Sequence, residues 1–339
     1  MILFVTADRI GSETGGGIVT KNELEALSTL GNVQVINPVP TENPFDTEKA
    51  IPDLDLKNVK LAHFYSGTFP NFVKKLKAAG VKVSYTVAAH DQIESKKEFE
   101  ILGAPYNFPH MVEKDLYEKY ISSYQNSDLV ISPSKHSDEI NKKTGCSNTL
   151  VIPHGTKIVA GKKIPKTFNV GYLGQYGPDK GVKYLLEAWA HLNYKDANIN
   201  FAGSQSVLLL NWIRSFKRGS FNIMGYVKRL EDFYNYISVY VQPSVTEGFG
   251  IEVLEAMSAG RPVIVSEGAG AADVVKNCGI VVPRRNPKAI AEAIDKYKNN
   301  PELILEHGAN GKKESLKYTW DSIKSMYIDA WKNLLEGRL

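Results

Sequence analysis

Short β-rich apolar runs alternate with helical stretches along the whole chain, and the alternation runs through twice with one interruption. That pattern predicts parallel sheets wrapped by helices. The first series of predicted strands is Ile2 to Thr6, Val33 to Asn37, Leu61 to Tyr65, Val81 to Val87, Leu129 to Ser132 and Thr149 to Ile152. Helices are predicted between them at Ile18 to Leu30, Asn71 to Ala79, Lys114 to Asn126 and Ser134 to Lys143. Thr156 to Lys166 is polar and basic, contains Gly161 and Pro165, has no helical period and reads as a linker. The alternation then restarts with strands at Phe168 to Leu173, Asn198 to Ala202, Ser220 to Met224, Val239 to Gln242, Pro262 to Val265 and Gly279 to Val282. Its helices are predicted at Gly181 to Leu192, Val207 to Phe216, Leu230 to Tyr236, Ile251 to Ala259 and Pro287 to Asn299. At about 150 residues per domain, 339 residues make roughly two domains. The expectation is an α/β protein of two Rossmann-like doubly wound domains, residues 1–157 and 158–321, with ligand at the carboxyl ends of the strands, in the cleft between the domains. The tail, Trp320 to Leu335, spaces Ile323, Met326, Tyr327, Ala330, Trp331 and Leu334 as one apolar stripe of a helix, which needs a partner surface.

Several classes drop out on composition and motif. The chain is 43% hydrophobic and 23% charged, as globular proteins are. Cys146 and Cys278 form no CxxC spacing for zinc or a redox pair and fit a reducing compartment. Met1 to Thr6 is too short for a secretory signal core, no apolar run approaches the roughly 20 residues of a membrane span, and no Asn-x-Ser/Thr site occurs, so a cytoplasmic protein is expected. The net charge of +4 does not argue for nucleic acid. It divides unevenly, −3 over residues 1–155 and +7 over the rest, so the second half suits a small polyanion better. The sequence has no GxxxxGK[ST] loop, no HExxH, no GxSxG elbow and no GxGxxG after the first strand.

What remains is glycine at strand-to-helix corners. Gly15, Gly16 and Gly17 precede the helix expected from Ile18, with Asp8 and Arg9 flanking the same opening. Such a turn lets backbone approach a ligand and aims amides at an anion, with a plain flexible turn as the lesser alternative. The second corner, Leu173-Gly174-Gln175-Tyr176-Gly177-Pro178-Asp179-Lys180-Gly181, puts a lysine at a helix start, where it can reach a phosphate or simply be solvated. The third, Ser244 to Ala256, sets Glu247 before Gly248-Phe249-Gly250 and places Glu255 eight residues later. Ionised carboxylates accept only, which suits vicinal hydroxyls. Complementing the helix dipole explains Glu252 but not a glutamate between a strand end and Gly-Phe-Gly.

These residues resemble the family 4 retaining glycosyltransferases of the two-Rossmann-domain GT-B fold. The resemblance rests on Glu247-Gly248-Phe249-Gly250 through Glu255 as an E-x7-E element, on Met257 to Ile264 after it, on Lys180-Gly181, and on Gly15 to Gly17. His90-Asp91 is similar to the family's active-site histidine segment, and Ser132-Pro133-Ser134 and Pro153-His154-Gly155 to segments near the end of the first domain. One departure stands out: Gln175 occupies the place where the family commonly has arginine. A missing guanidinium beside a diphosphate forfeits an attraction of about 4 kcal/mol at 4 Å and an effective dielectric of 20, before desolvation. Arg9 is the substitute cation we would look to.

The resemblance implies sugar transfer from a nucleotide-diphosphate sugar, UDP-sugar first and GDP-mannose next, with retention of configuration and no metal or other cofactor. Glu247, His90 and Lys180 would serve catalysis. Gly16, Gly17, Gln175, Tyr226, Gly248, Phe249, Gly250, Ile251 and Glu255 would bind the donor, mainly in the second domain, while the first holds a glycan, lipid or small-molecule acceptor. The tail helix, residues 322–339, would cross back to the first domain, and closure over the donor would be the main motion. A non-catalytic nucleotide-sugar binding subunit, or an epimerase or phosphorylase on the same fold, are the alternatives. The helix Asn71 to Ala79, with Lys74, Lys75 and Lys77 beside Phe72, Val73 and Leu76, leaves peripheral membrane contact open against a solvated amphipathic helix.

Overall fold

The computed structural model describes residues 1–38, 47–89, 91–103, 114–203, 210–211, 214 and 220–339. It divides into two compact units: Met1–Ala89 with Asn107–Gly155 and Trp320–Leu339, and His90–Tyr106 with Thr156–Thr319.

The first unit is built on six parallel strands: β1 (Ile2–Thr6), β2 (Val33–Ile36), β3 (Leu61–Tyr65), β4 (Lys82–Thr86), β5 (Leu129–Ser132) and β6 (Thr149–Val151). They lie in the order β2-β1-β3-β4-β5-β6. All five residues of β1 and of β3 are buried, because a parallel sheet covered on both faces needs apolar side chains pointing both ways. One face packs Phe72, Val73 and Leu76 of α2 (Pro70–Ala78) onto Leu3, Phe64, Val83 and Tyr85. The apolar side of that helix is therefore core, and its lysines turn outward: Lys75 pairs with Asp53 at 2.8 Å and Lys77 with Asp128. The solvated-helix alternative describes α2, not an apolar face held out for lipid. Among the described residues no helix is long and apolar enough to cross a membrane.

The triple glycine corrects the expectation of a loop ahead of Ile18. Helix α1 spans Gly15–Ser28, so the three glycines are its first turn, capped by the Thr14 side chain, which accepts from Gly17 N at 3.1 Å. Crowding explains the residue type at Gly16 and Gly17. A Cβ on Gly16 would lie 2.5 Å from Asp8 Oδ2, and one on Gly17 would run into Ser12.

The second unit has its own six parallel strands: β7 (Phe168–Leu173), β8 (Ala197–Ala202), β9 (Phe221–Gly225), β10 (Val239–Gln242), β11 (Val263–Ser266) and β12 (Gly279–Val282). The order is β12-β11-β10-β7-β8-β9, the Rossmann arrangement, in which the winding reverses between β7 and β10. Helices α6 (Val182–Leu192) and α9 (Pro287–Lys298) cover one face with Leu185, Trp189, Ile290, Ile294 and Tyr297. On the other face α7 (Leu230–Tyr236) and α8 (Ile251–Ser258) bury Phe233, Tyr234, Val253, Leu254 and Met257. The helix expected over Val207 to Phe216 falls mostly outside the described residues.

The division of the chain departs from the expected one at three places. The stretch read as a linker packs along the second unit: Val159 is buried and its N–H donates to Ser258 Oγ at 3.0 Å, and Gly161 lies too close to Ala259 O for any side chain. Fully buried Arg261 fastens the same stretch by donating to Tyr234 O at 2.5 Å and Lys162 O at 3.1 Å. The final helix, α11 (Trp320–Leu335), belongs to the first unit, joined from Trp320 rather than residue 322. It buries Trp320, Ile323, Tyr327, Ala330, Trp331 and Leu334, while Met326, at the flank of the stripe, is exposed. Thirdly, the second unit takes in α3 (Gln92–Ile101), a helix the periodicity did not reveal. The reason is its inverted polarity: Ser95 and Glu98 are buried and Ile93 and Ile101 are exposed. Helix α10 (Pro301–Ser315), capped by the Asn300 side chain, was also not foreseen.

Candidate functional site

The second and third glycine corners follow β7 and β10, the two strands between which the winding of the sheet reverses, so the topology alone brings them together. Leaving β7, the chain passes Gly174 at φ +151° and makes a 3-10 turn, Pro178–Lys180. Gly181 then enters α6 in the left-handed region, φ +69°, where a Cβ would collide with Pro243 O. The two corners are tied by backbone: Val245 N donates to Asp179 O at 2.8 Å. Tyr176 is buried and stacks on Tyr172, 5.7 Å between ring centres, which anchors the first loop from beneath.

The third corner is held from a second side. Glu247 N donates to Gly268 O at 2.9 Å, Gly270 N to Glu247 O at 3.0 Å and Ala271 N to Phe249 O at 2.7 Å. Phe249 is buried, and Gly250, at φ +97°, starts α8 without a side-chain cap. The first-turn amides of α8 thus supply the positive end of a helix dipole at this corner.

Glu247 and Lys180 meet here as an ion pair between partly buried side chains. Burial works against the Lys180 charge, but Glu247 and Asp179 outweigh it and hold the ammonium well above its ordinary pKa. Two further carboxyls lie below. Burial, and secondarily Glu247, pushes Glu252 up to about 7; burial, and secondarily Glu252, pushes Glu255 up to about 8. Glu255 is nearly enclosed and accepts from the Tyr234 hydroxyl at 3.0 Å.

The other expected residues are dispersed. Gln175 is exposed, its carbonyl accepting from the Tyr172 hydroxyl at 2.5 Å. Tyr226 follows β9 and is exposed. Ile251 opens α8 and is half-buried. Gly16, Gly17 and Arg9 belong to the first unit, with Arg9 exposed beyond the end of β1. His90 lies outside the described residues. Its neighbour Asp91 belongs to the second unit, capping α3 through Glu94 N at 3.0 Å and donating its own N–H to Thr246 Oγ1 at 2.6 Å. Asp179 O and the Gly268–Gly270 strap were missed because backbone contacts carry them, and Thr246 because its hydroxyl meets a backbone N–H from a distant stretch of chain. Among the described residues no group of three or more His, Cys, Asp or Glu is placed to hold a metal ion.

Two Rossmann-like units, each built on its own six-stranded parallel sheet, make the GT-B fold. Residues 167–300 match the family model described as Glycosyl transferases group 1. It is 32% identical over 180 residues to the capsular polysaccharide biosynthesis glycosyltransferase CapM of Staphylococcus aureus, covering 49% of this chain and 47% of that one. It is 27% identical to an uncharacterized glycosyltransferase of Methanocaldococcus jannaschii, covering 62% of each. The matched stretch thus spans about half the length of these curated relatives. Among solved structures, the sucrose-phosphate synthase of Thermosynechococcus elongatus superimposes with a TM-score of 0.77 over 99% of both chains at 18% identity. Anabaena HepE in complex with UDP gives 0.72 over 98% of this chain and 99% of that one at 16% identity. The solved structures bear out the expected fold, and the match over residues 167–300 bears out the resemblance at the level of group 1.

Proposed function

We propose that the chain is a retaining glycosyltransferase that moves a sugar from a nucleotide-diphosphate sugar to a glycan, lipid-linked or small-molecule acceptor, and that it works in the cytoplasm. The observation that carries the reading is the Lys180–Glu247 pair beside the N terminus of α8. In the absence of ligand the two charges satisfy each other. A diphosphate arriving at the amides of α8 offers Lys180 a stronger partner, and the released Glu247 carboxylate then accepts from hydroxyls of the donor sugar. As the bond to the sugar breaks, charge grows on the leaving phosphate, where the lysine and the helix end already stand, so little reorganisation is needed. No metal or other cofactor enters this reading. UDP is the favoured nucleotide, supported by HepE, a structure of the same fold that holds UDP; GDP-mannose stands next, since a further relative, 27% identical, is the O-antigen chain mannosyltransferase B of Escherichia coli.

The test is nucleotide release from UDP-, GDP- and ADP-sugars, with and without sugar and lipid acceptors, by the wild type and Glu247→Ala. Release from one donor class that disappears in the variant supports the proposal. Tight donor binding without release on any acceptor favours the second reading, a non-catalytic nucleotide-sugar binding subunit. That reading rests on Gln175, which presents no cation where the family's arginine would stand.

A further inference from the structure

Leu102, just past the end of helix α3, packs against the core of the second unit, but the face that the helix itself turns inward is polar. Ile93 and Ile101 are exposed, whereas Glu98 is completely buried. The Glu98 carboxylate accepts from Arg285 Nε at 2.6 Å and from the Tyr184 hydroxyl at 3.0 and 3.2 Å. Arg285 also reaches Glu94, one turn earlier, at 2.5 Å, so one guanidinium grips two carboxylates on the same face of α3. To do so Arg285 adopts φ +56°, a left-handed conformation that a side chain larger than glycine takes at a cost. A buried charge and a strained backbone are poor means of adding stability, since an apolar contact of the same size does as well or better. They are effective means of fixing an angle and a register.

The held helix touches both site corners. It packs on the Pro178–Lys180 turn, and at its start Asp91 donates to Thr246, the residue before Glu247. Resting on the function proposed above, we propose that Glu98 and Arg285 are positioning residues for sugar transfer: their ion pair seats α3 so that the chain at Asp91 braces the Thr246–Glu247 corner. Neither residue binds the nucleotide. Their effect reaches the reaction through Thr246 and the Glu247 that follows it.

The experiment compares wild type, Glu98→Gln, Arg285→Ala and the double variant in the full chain. The readouts are nucleotide Kd and binding stoichiometry, kcat per nucleotide-binding molecule, and amide hydrogen exchange of residues 244–247. The expected result is a fall in kcat per binding-competent molecule of about tenfold or more in each single variant. The double variant falls no further, as coupled residues require. The nucleotide Kd stays within about twofold and exchange at 244–247 rises. A purely structural tie lowers the competent fraction but leaves kcat per competent molecule within about twofold, and that result overturns the proposal. So does a Kd that weakens in step with kcat. If the wild type transfers no sugar at all, the functional reading has failed on its own. Exchange then decides the seat: unchanged protection at 244–247 in the variants overturns it, and lost protection upholds the bracing of that corner.

Discussion

Lys180 and Glu247 compensate each other, so under the proposed function the two should fail differently when altered. Lys180→Ala removes the only side-chain cation placed in the Gly174–Gly181 corner and leaves Glu247 unneutralised; UDP binding, measured by calorimetry, should weaken about tenfold or more. Glu247→Gln leaves the lysine available to phosphate, so UDP affinity should hold or improve while transfer drops about a hundredfold or more. Glu255 gives a pH signature. Its folded pKa of about 8 lies above the ordinary 4.5, so between those values the folded chain holds a proton that the unfolded chain releases. Stability contributed at this site is therefore lost as pH rises from about 4.5 to about 8. Melting temperatures taken from pH 6 to 8.5 should fall less steeply for Glu255→Gln than for wild type. An unchanged slope would show that the carboxyl is not held neutral.

At the scale of elements, the site depends on how two loops enter two helices. Gly181 enters α6 in the left-handed region with Pro243 O against its Cα, so Gly181→Ala is strained and also pushes the two corners apart. A loss of about 1–3 kcal/mol in chemical denaturation is expected, with nucleotide binding weakened alongside it. The Lys180-Gly181 and Glu247 to Glu255 segments were legible in the sequence because each chemistry-bearing side chain adjoins glycines at a strand end. Their partners were not. Asp179 O and the Gly268–Gly270 strap act through main-chain atoms that every residue has, and the Thr246 hydroxyl meets an N–H 155 residues away in the chain. Helix α3 was hidden by a polar face turned inward, which reverses the periodicity by which helices are found. The first turn of α1 was read as loop because three glycines argue against helix, yet Asp8 and Ser12 leave no room for anything larger at Gly16 and Gly17.

For the whole molecule, the chain's path matters more than its sequence boundaries suggest: the described stretch Asp91–Gly103 belongs to the second unit, and the chain returns to that unit at Thr156. The first unit is completed only by the last twenty residues. Trp331 is fully buried, donates to Ser84 Oγ at 3.1 Å and lies edge-on to His63, 4.8 Å between ring centres. His63 is itself buried between Ser84 Oγ at 2.8 Å and Glu23 at 3.2 Å. Trp331→Ala opens a cavity beside that polar group, so a cost of about 3–5 kcal/mol is expected, seen as an earlier transition in denaturant. The site corners lie wholly in the other unit, so nucleotide affinity per folded molecule should be unaffected. The sequence by itself determined the two parallel sheets, the family resemblance and the tail helix, because strand burial, glycine corners and an apolar stripe are local patterns. Only the tertiary structure decided that Glu247 closes on Lys180, that Glu255 is sealed beneath Tyr234 and that a polar-faced helix belongs to the second unit. Those are contacts between residues far apart in the chain, set by the order in which strands pair, and no local pattern encodes that order.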